Sequence, residues 1–135
     1  MFNQQSSPAQ QPVIWDYHVI LLNTSNSQVY DFDTRASFIS DALHYFDLSF
    51  PENIKADYQA TFRIIPAETY LERFSSDRSH MLGLIEDSQF PDYPAIQSDN
   101  PLYLNDLIYF NKPISLNEKI LSLSEMKLRL IKFKL

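Results

Sequence analysis

At 135 residues, with 44% hydrophobic and 14% aromatic content, the chain is long enough for one modest core and too apolar to be disordered. A net charge of −6 argues against a phosphate backbone as the main partner, so no nucleic acid is expected. The cysteine count of zero excludes a disulfide, a thiolate zinc site and a cysteine nucleophile within these residues.

The charge is split along the chain. Residues 1–111 hold 5 basic and 15 acidic side chains, whereas residues 112–135 hold 6 basic and 2 acidic, a pattern read as the solvated face of a helix. No apolar run approaches the roughly 20 residues that span a bilayer, so no membrane partner is expected. Residues 1–11 are polar, rich in Gln and Ser, and lack the features of a signal or transit peptide. They read as a flexible lead-in to a single domain over 12–135, in a soluble chain located in the cytoplasm and also the nucleus.

Val13 to Leu22 carries the strongest strand pattern. The polar cluster Asn23 to Ser27 predicts a turn, and alternation over Gln28 to Asp33 predicts the second arm of a hairpin. The spacing of Phe38, Ile39, Ala42, Leu43 and Phe46 predicts a helix over 38–46. A short strand over Thr61–Ile65 ends at Pro66, and a helix over Ala67–Phe74 follows. Ser75 to Pro101 is turn-rich and predicts an ordered, irregular surface crossing. Ser122, three residues before Glu125, forms a capping-box pattern opening a final amphipathic helix with Leu123, Met126, Leu130 and Phe133.

Within the first strand, Asp16 and His18 share a face with Ile14, Ile20 and Leu22. If the turn is the four residues Asn23 to Asn26, Leu22 faces Ser27 and the ladder sets His18 directly opposite Asp31. Directly opposed Cβ atoms lie about 4.5–5.5 Å apart, so the imidazole could donate to that carboxylate, with Asp33 one diagonal step away. A five-residue turn would move Asp31 to the other face. Such a pair serves either as a structural hydrogen bond or as a catalytic dyad. His18, His44 and His80 sit at no ligand-like spacing, so neither a metal nor another cofactor is expected.

The run Pro12-Val13-Ile14-Trp15-Asp16-Tyr17-His18-Val19, followed by Tyr30-Asp31-Phe32-Asp33-Thr34, resembles the protein N-terminal glutamine amidohydrolase family. Phe62-Arg63-Ile64-Ile65 through Tyr70-Leu71, the stretch Phe74 to Met81, Tyr93-Pro94 and Leu104-Asn105-Asp106 continue the resemblance in the same order, over roughly Pro12 to Ile108. The resemblance implies an α/β fold, a three-layer sandwich around a mainly antiparallel sheet like that of the papain and transglutaminase group, and incomplete here. It implies deamidation of N-terminal Gln to Glu on proteins or peptides, in the pathway that marks termini for degradation. The implied mechanism is a Cys-His-Asp thioester route with His18 and Asp31 as two of its members.

Trp15, Asp16, Asp33, Asp77, Arg78 and His80 are the candidates for substrate binding, although an Asp77–Arg78 pair on a loop also reads as a structural clamp. Two departures stand out: the family's cysteine, expected tens of residues before the His motif, has no counterpart, and Arg35-Ala36-Ser37-Phe38 lacks the usual prolines. Met1 is therefore expected to fall inside a longer protein that is monomeric when complete. The incomplete chain is expected to be inactive alone, with exposed apolar surface. The alternative is a short, non-catalytic binder of N-terminal Gln or of a protein partner.

Overall fold

The computed structural model describes residues 1–76, 83–84, 86, 92–110, 113–114 and 118–133. The fold is α/β, and its contacts fall into two compact units, residues 1–62 with 121–135, and residues 63–120.

The first unit is built on a three-stranded antiparallel sheet of β1 (Leu21–Asn23), β2 (Gln28–Tyr30) and β3 (Ile39–Asp41), in that order across the sheet. β1 and β2 form the expected hairpin, but the strand pattern over 13–22 yields a ladder only from Leu21 onward, and Thr24 to Ser27 form the turn. Ser27 holds a positive φ of 53° there. Leu22 pairs with Val29, so the register is displaced by two residues from the expected Leu22–Ser27 pairing. An even displacement leaves every side chain on its original face, which is why the polarity pattern survives the error.

The helix expected over 38–46 is corrected in the same way. Ile39 to Asp41 pair with β2 as β3, and α1 runs over Ala42–Ser49, capped by the Asp41 carboxylate accepting from His44 N at 3.1 Å. The buried face of α1 is Ala42, Tyr45, Phe46 and Ser49, an i, i+3, i+4, i+7 stripe. It lies against the inner row of the sheet, where Val29 is fully buried. Phe46, Phe50 and Phe62 form an aromatic cluster with ring centroids 5.0–5.3 Å apart.

The last helix, α4 (Leu123–Phe133), begins with the expected capping box, Ser122 N donating to Glu125 Oε2 at 2.8 Å and Glu125 N to Ser122 Oγ at 3.4 Å. Its apolar stripe buries Met126 and Leu130, and it packs on α1. Lys127 bridges Asp47 at 2.8 Å and Glu52 at 3.0 Å. The outer face of the sheet has no such cover among the described residues. Leu21, Tyr30 and Ile39 line up in one cross-strand row, with Leu21 55% and Ile39 43% exposed.

The second unit carries α2 (Ala67–Arg73) and a short α3 (Leu104–Ile108) that the sequence pattern did not flag. Arginines hold its irregular backbone. Arg73 donates to the carbonyls of Asn100 at 3.2 Å and Ile114 at 2.9 Å, and Arg63 to those of Asp106 at 2.6 Å and Leu107 at 3.0 Å. Among the described residues, Leu102 and Ile114 are its buried apolar side chains. β4 (Thr61–Ile64) pairs with β5 (Lys119–Ser122) in a separate two-stranded sheet.

Phe46 is fully buried in the aromatic cluster, so Phe46→Ala is expected to cost about 3–5 kcal/mol, read from urea denaturation. A loss under about 1 kcal/mol, the range typical of a surface change, would contradict its place in the core.

Candidate functional site

The chain runs from Val13 to Ile20 without ladder partners, then enters β1. His18 lies in this approach and Asp31 follows directly on β2, so both flank the end of the hairpin ladder. His18 Nε2 is 2.9 Å from Asp31 Oδ1. In the ladder register extended from Leu21, His18 would fall opposite Asp33, yet its imidazole pairs with Asp31, the approach to β1 having left the ladder. The contact expected from the sequence exists, reached through a different register.

Asp31 is 2% exposed. A buried carboxylate must be matched by donors, and three converge on it. Oδ1 receives His18 Nε2 at 2.9 Å and the backbone N–H of Asp33 at 3.0 Å, while Oδ2 receives the hydroxyl of Tyr45 at 2.8 Å. With Nε2 donating, neutral His18 carries its proton on that nitrogen, and Nδ1 becomes the proton acceptor. Trp15 stacks on the imidazole with centroids 5.5 Å apart and planes 16° from parallel. The indole thus covers one ring face of His18.

Tyr45 was not among the residues expected at the site. Its ring is 1% exposed in the core beside Phe46 and Phe50, and its hydroxyl is the polar tip that reaches Asp31. Burial, then the hydrogen bond from Tyr45 to Asp31 and the carboxylate's charge, push the phenol far above its ordinary value.

Residues 1–11, read from sequence as a flexible lead-in, are placed against the Asp31 to Arg35 segment by a dense set of bonds. Gln4 bridges with Thr34 and is fully buried, Gln5 N donates to Asp33 O at 2.6 Å, and Arg35 N donates to Asn3 O at 2.7 Å. The Arg35 guanidinium spans the carbonyls of Gln4 at 3.0 Å and Ser7 at 2.5 Å. The Ser6 hydroxyl donates to Asp33 Oδ1 at 2.7 Å, and the Ser7 hydroxyl donates to the carbonyls of Gln4 and Gln11, so each has its own partners away from His18.

The remaining candidates separate. Asp33 is half-buried with Ser6 against its carboxylate, and Asp16 is exposed next to Trp15. Asp77, Arg78 and His80 lie outside the described residues. Among the described residues no group of three or more His, Asp or Glu side chains is arranged to hold a metal ion, and no helix is long and apolar enough to cross a membrane.

The raised Tyr45 sets a pH dependence with a fixed sign. As pH rises, an unfolded phenol with a value near 10 loses its proton before the folded one does, so the folded state binds more protons. The stability contributed by Tyr45 protonation is complete below about pH 10 and is lost as pH rises beyond it toward the folded value. In alkaline denaturation followed by circular dichroism, Tyr45→Phe is expected to lose stability less steeply above that point. An identical slope would place the phenol in water.

The chain matches the N-terminal glutamine amidase family over residues 1–129. It is 40% identical over 120 residues to the protein N-terminal glutamine amidohydrolase of Bos taurus, covering 80% of this chain and 56% of that protein. It is 36% identical over 133 residues to that of Danio rerio, covering 93% and 65%, and 38% identical over 120 residues to that of Homo sapiens, covering 80% and 57%. The chain thus spans between 56% and 65% of the length of these curated relatives. Matched across nearly its whole length, and carrying the paired His18 and Asp31, it belongs to the N-terminal glutamine amidase family.

Proposed function

We propose that these residues form the base-bearing part of an enzyme that deamidates N-terminal Gln to Glu on proteins and peptides. The observation that carries the reading is the His18 Nε2 to Asp31 Oδ1 bond of 2.9 Å, made to a buried carboxylate, which leaves Nδ1 as the base. The activity for which the relatives are named, protein N-terminal glutamine amidohydrolase, supports this substrate.

In this mechanism a thiol from outside these 135 residues supplies the nucleophile, since the chain has none. His18 takes the thiol proton, the thiolate attacks the carboxamide carbon, and the imidazolium returns that proton to the departing nitrogen, which leaves as ammonia. Water, deprotonated by His18, opens the thioester to give Glu and regenerate the thiol. Asp31 holds the imidazole tautomer and stabilises its charged form. Trp15, Asp16 and Asp33 are the described side chains proposed to meet the peptide terminus. The complete enzyme takes the papain and transglutaminase-like three-layer fold, acts as a cytoplasmic and nuclear monomer, and feeds the degradation of the proteins it modifies. The exposure of Leu21 and Ile39 on the outer sheet face supports a further layer.

The chain should be assayed for ammonia release from a Gln-initiated peptide, alone and fused behind the portion of the bovine relative that it does not match. The chain alone is expected to be silent and the fusion active. His18→Ala and Asp31→Ala in the fusion are each expected to lower the rate by roughly 10³-fold or more. A fusion whose turnover survives His18→Ala would sink the assignment. The absence of cysteine favours a second reading, a non-catalytic binder of N-terminal Gln, which peptide binding by a folded but silent fusion would support.

A further inference from the structure

We propose that Tyr45 is the positioning residue of the His18–Asp31 pair, its buried hydroxyl fixing the carboxylate so that Oδ1 receives His18 Nε2 and the imidazole is held in one tautomer. The inference rests on the reading of His18 as the base.

A carboxylate can rotate about its Cβ–Cγ bond and exchange its two oxygens, so one donor from His18 would leave the imidazole partner poorly fixed. Here the rotation is blocked from both sides: Asp33 N donates to Oδ1 at 3.0 Å and Tyr45 to Oδ2 at 2.8 Å. The tyrosine itself cannot move easily. It lies on the buried stripe of α1, its ring packs edge-on against Phe46 and Phe50, and the helix is capped at Asp41 and packed on α4. Rotamer and ring are therefore set by the core, and the hydroxyl is delivered to a fixed point.

A phenylalanine would fill the same space without desolvating a hydroxyl, which costs free energy unless the group is paired. The polar tip makes sense through the one bond it donates, to Asp31. Core packing on α1 is in this way connected to the orientation of His18 through a single side chain.

The test is ¹⁵N-detected NMR of the chain's histidine side chains, with His18 assigned by His18→Gln. In the parent, neutral His18 is expected to carry its proton on Nε2, with a slowly exchanging Nε2–H. Tyr45→Phe preserves the ring packing and is expected to accelerate that exchange about tenfold, the equivalent of one hydrogen bond, and to admit the Nδ1–H tautomer. Leu48→Ala, on the exposed side of the same helix, is expected to change neither. If Tyr45→Phe matches the parent, Tyr45 is a packing residue and the inference fails while the base assignment stands. A parent with the proton on Nδ1 would instead take down the base assignment, and the inference with it. Should Tyr45→Phe not fold, 3-fluorotyrosine placed at position 45 alone tests the same link: displaced His18 ring resonances support it, and unchanged ones overturn it.

Discussion

The carboxylate of Asp31 is the constraint around which the first unit is arranged. At 2% exposure it cannot rely on water, and an ionised group in such surroundings is tolerated only when donors replace its hydration. The three donors come from three places: His18 from the approach to β1, Asp33 from the next turn of the same segment, and Tyr45 from α1. Meeting Asp31's hydrogen-bonding demand therefore fixes the hairpin end against the helix, and fixes the imidazole in the same step.

That arrangement explains why the neighbouring backbone is held so firmly. The segment after Asp31 turns through Phe32 to Thr34 with no sheet partner of its own, and residues 3–7 supply one, with Arg35 gathering the carbonyls of Gln4 and Ser7. Arginine suits this task because its planar fork meets two acceptors at once, whereas lysine would present a single point charge. The result is a His–Asp pair whose supporting atoms are almost all main chain or buried side chain, the condition for holding catalytic groups without loss of geometry.

Much of the site was legible in the sequence, and particular residues show why. The hairpin pattern brought His18 and Asp31 to the same end of the ladder, and the two pair there although the turn begins one residue later than expected and the ladder starts only at Leu21. The terminal helix was legible because capping chemistry at Ser122 and Glu125 is local. Tyr45 was hidden for a correspondingly simple reason. Counting Ile39 and Leu43 on the apolar face drew that face away from Tyr45; with Ile39 in β3 and Leu43 only half-buried, the buried stripe is Ala42, Tyr45, Phe46 and Ser49. The available signal was Asp41, an N-cap residue type immediately before the helix.

The sequence by itself determined what depends on local chemistry and periodicity: the hairpin, the terminal helix with its apolar stripe, the proximity of His18 and Asp31, and the family to which their motifs point. Tertiary structure decided what depends on desolvation and on distant main chain. The folded chain pairs the imidazole with buried Asp31 rather than Asp33, the core supplies Tyr45 as the carboxylate's third donor, and polar residues 1–11 lie against the Asp31 to Arg35 segment through backbone hydrogen bonds that no composition or periodicity encodes. The physical reason is that side-chain parity is written residue by residue, whereas the cost of an unpaired buried charge appears only once elements far apart in the chain have excluded water from it.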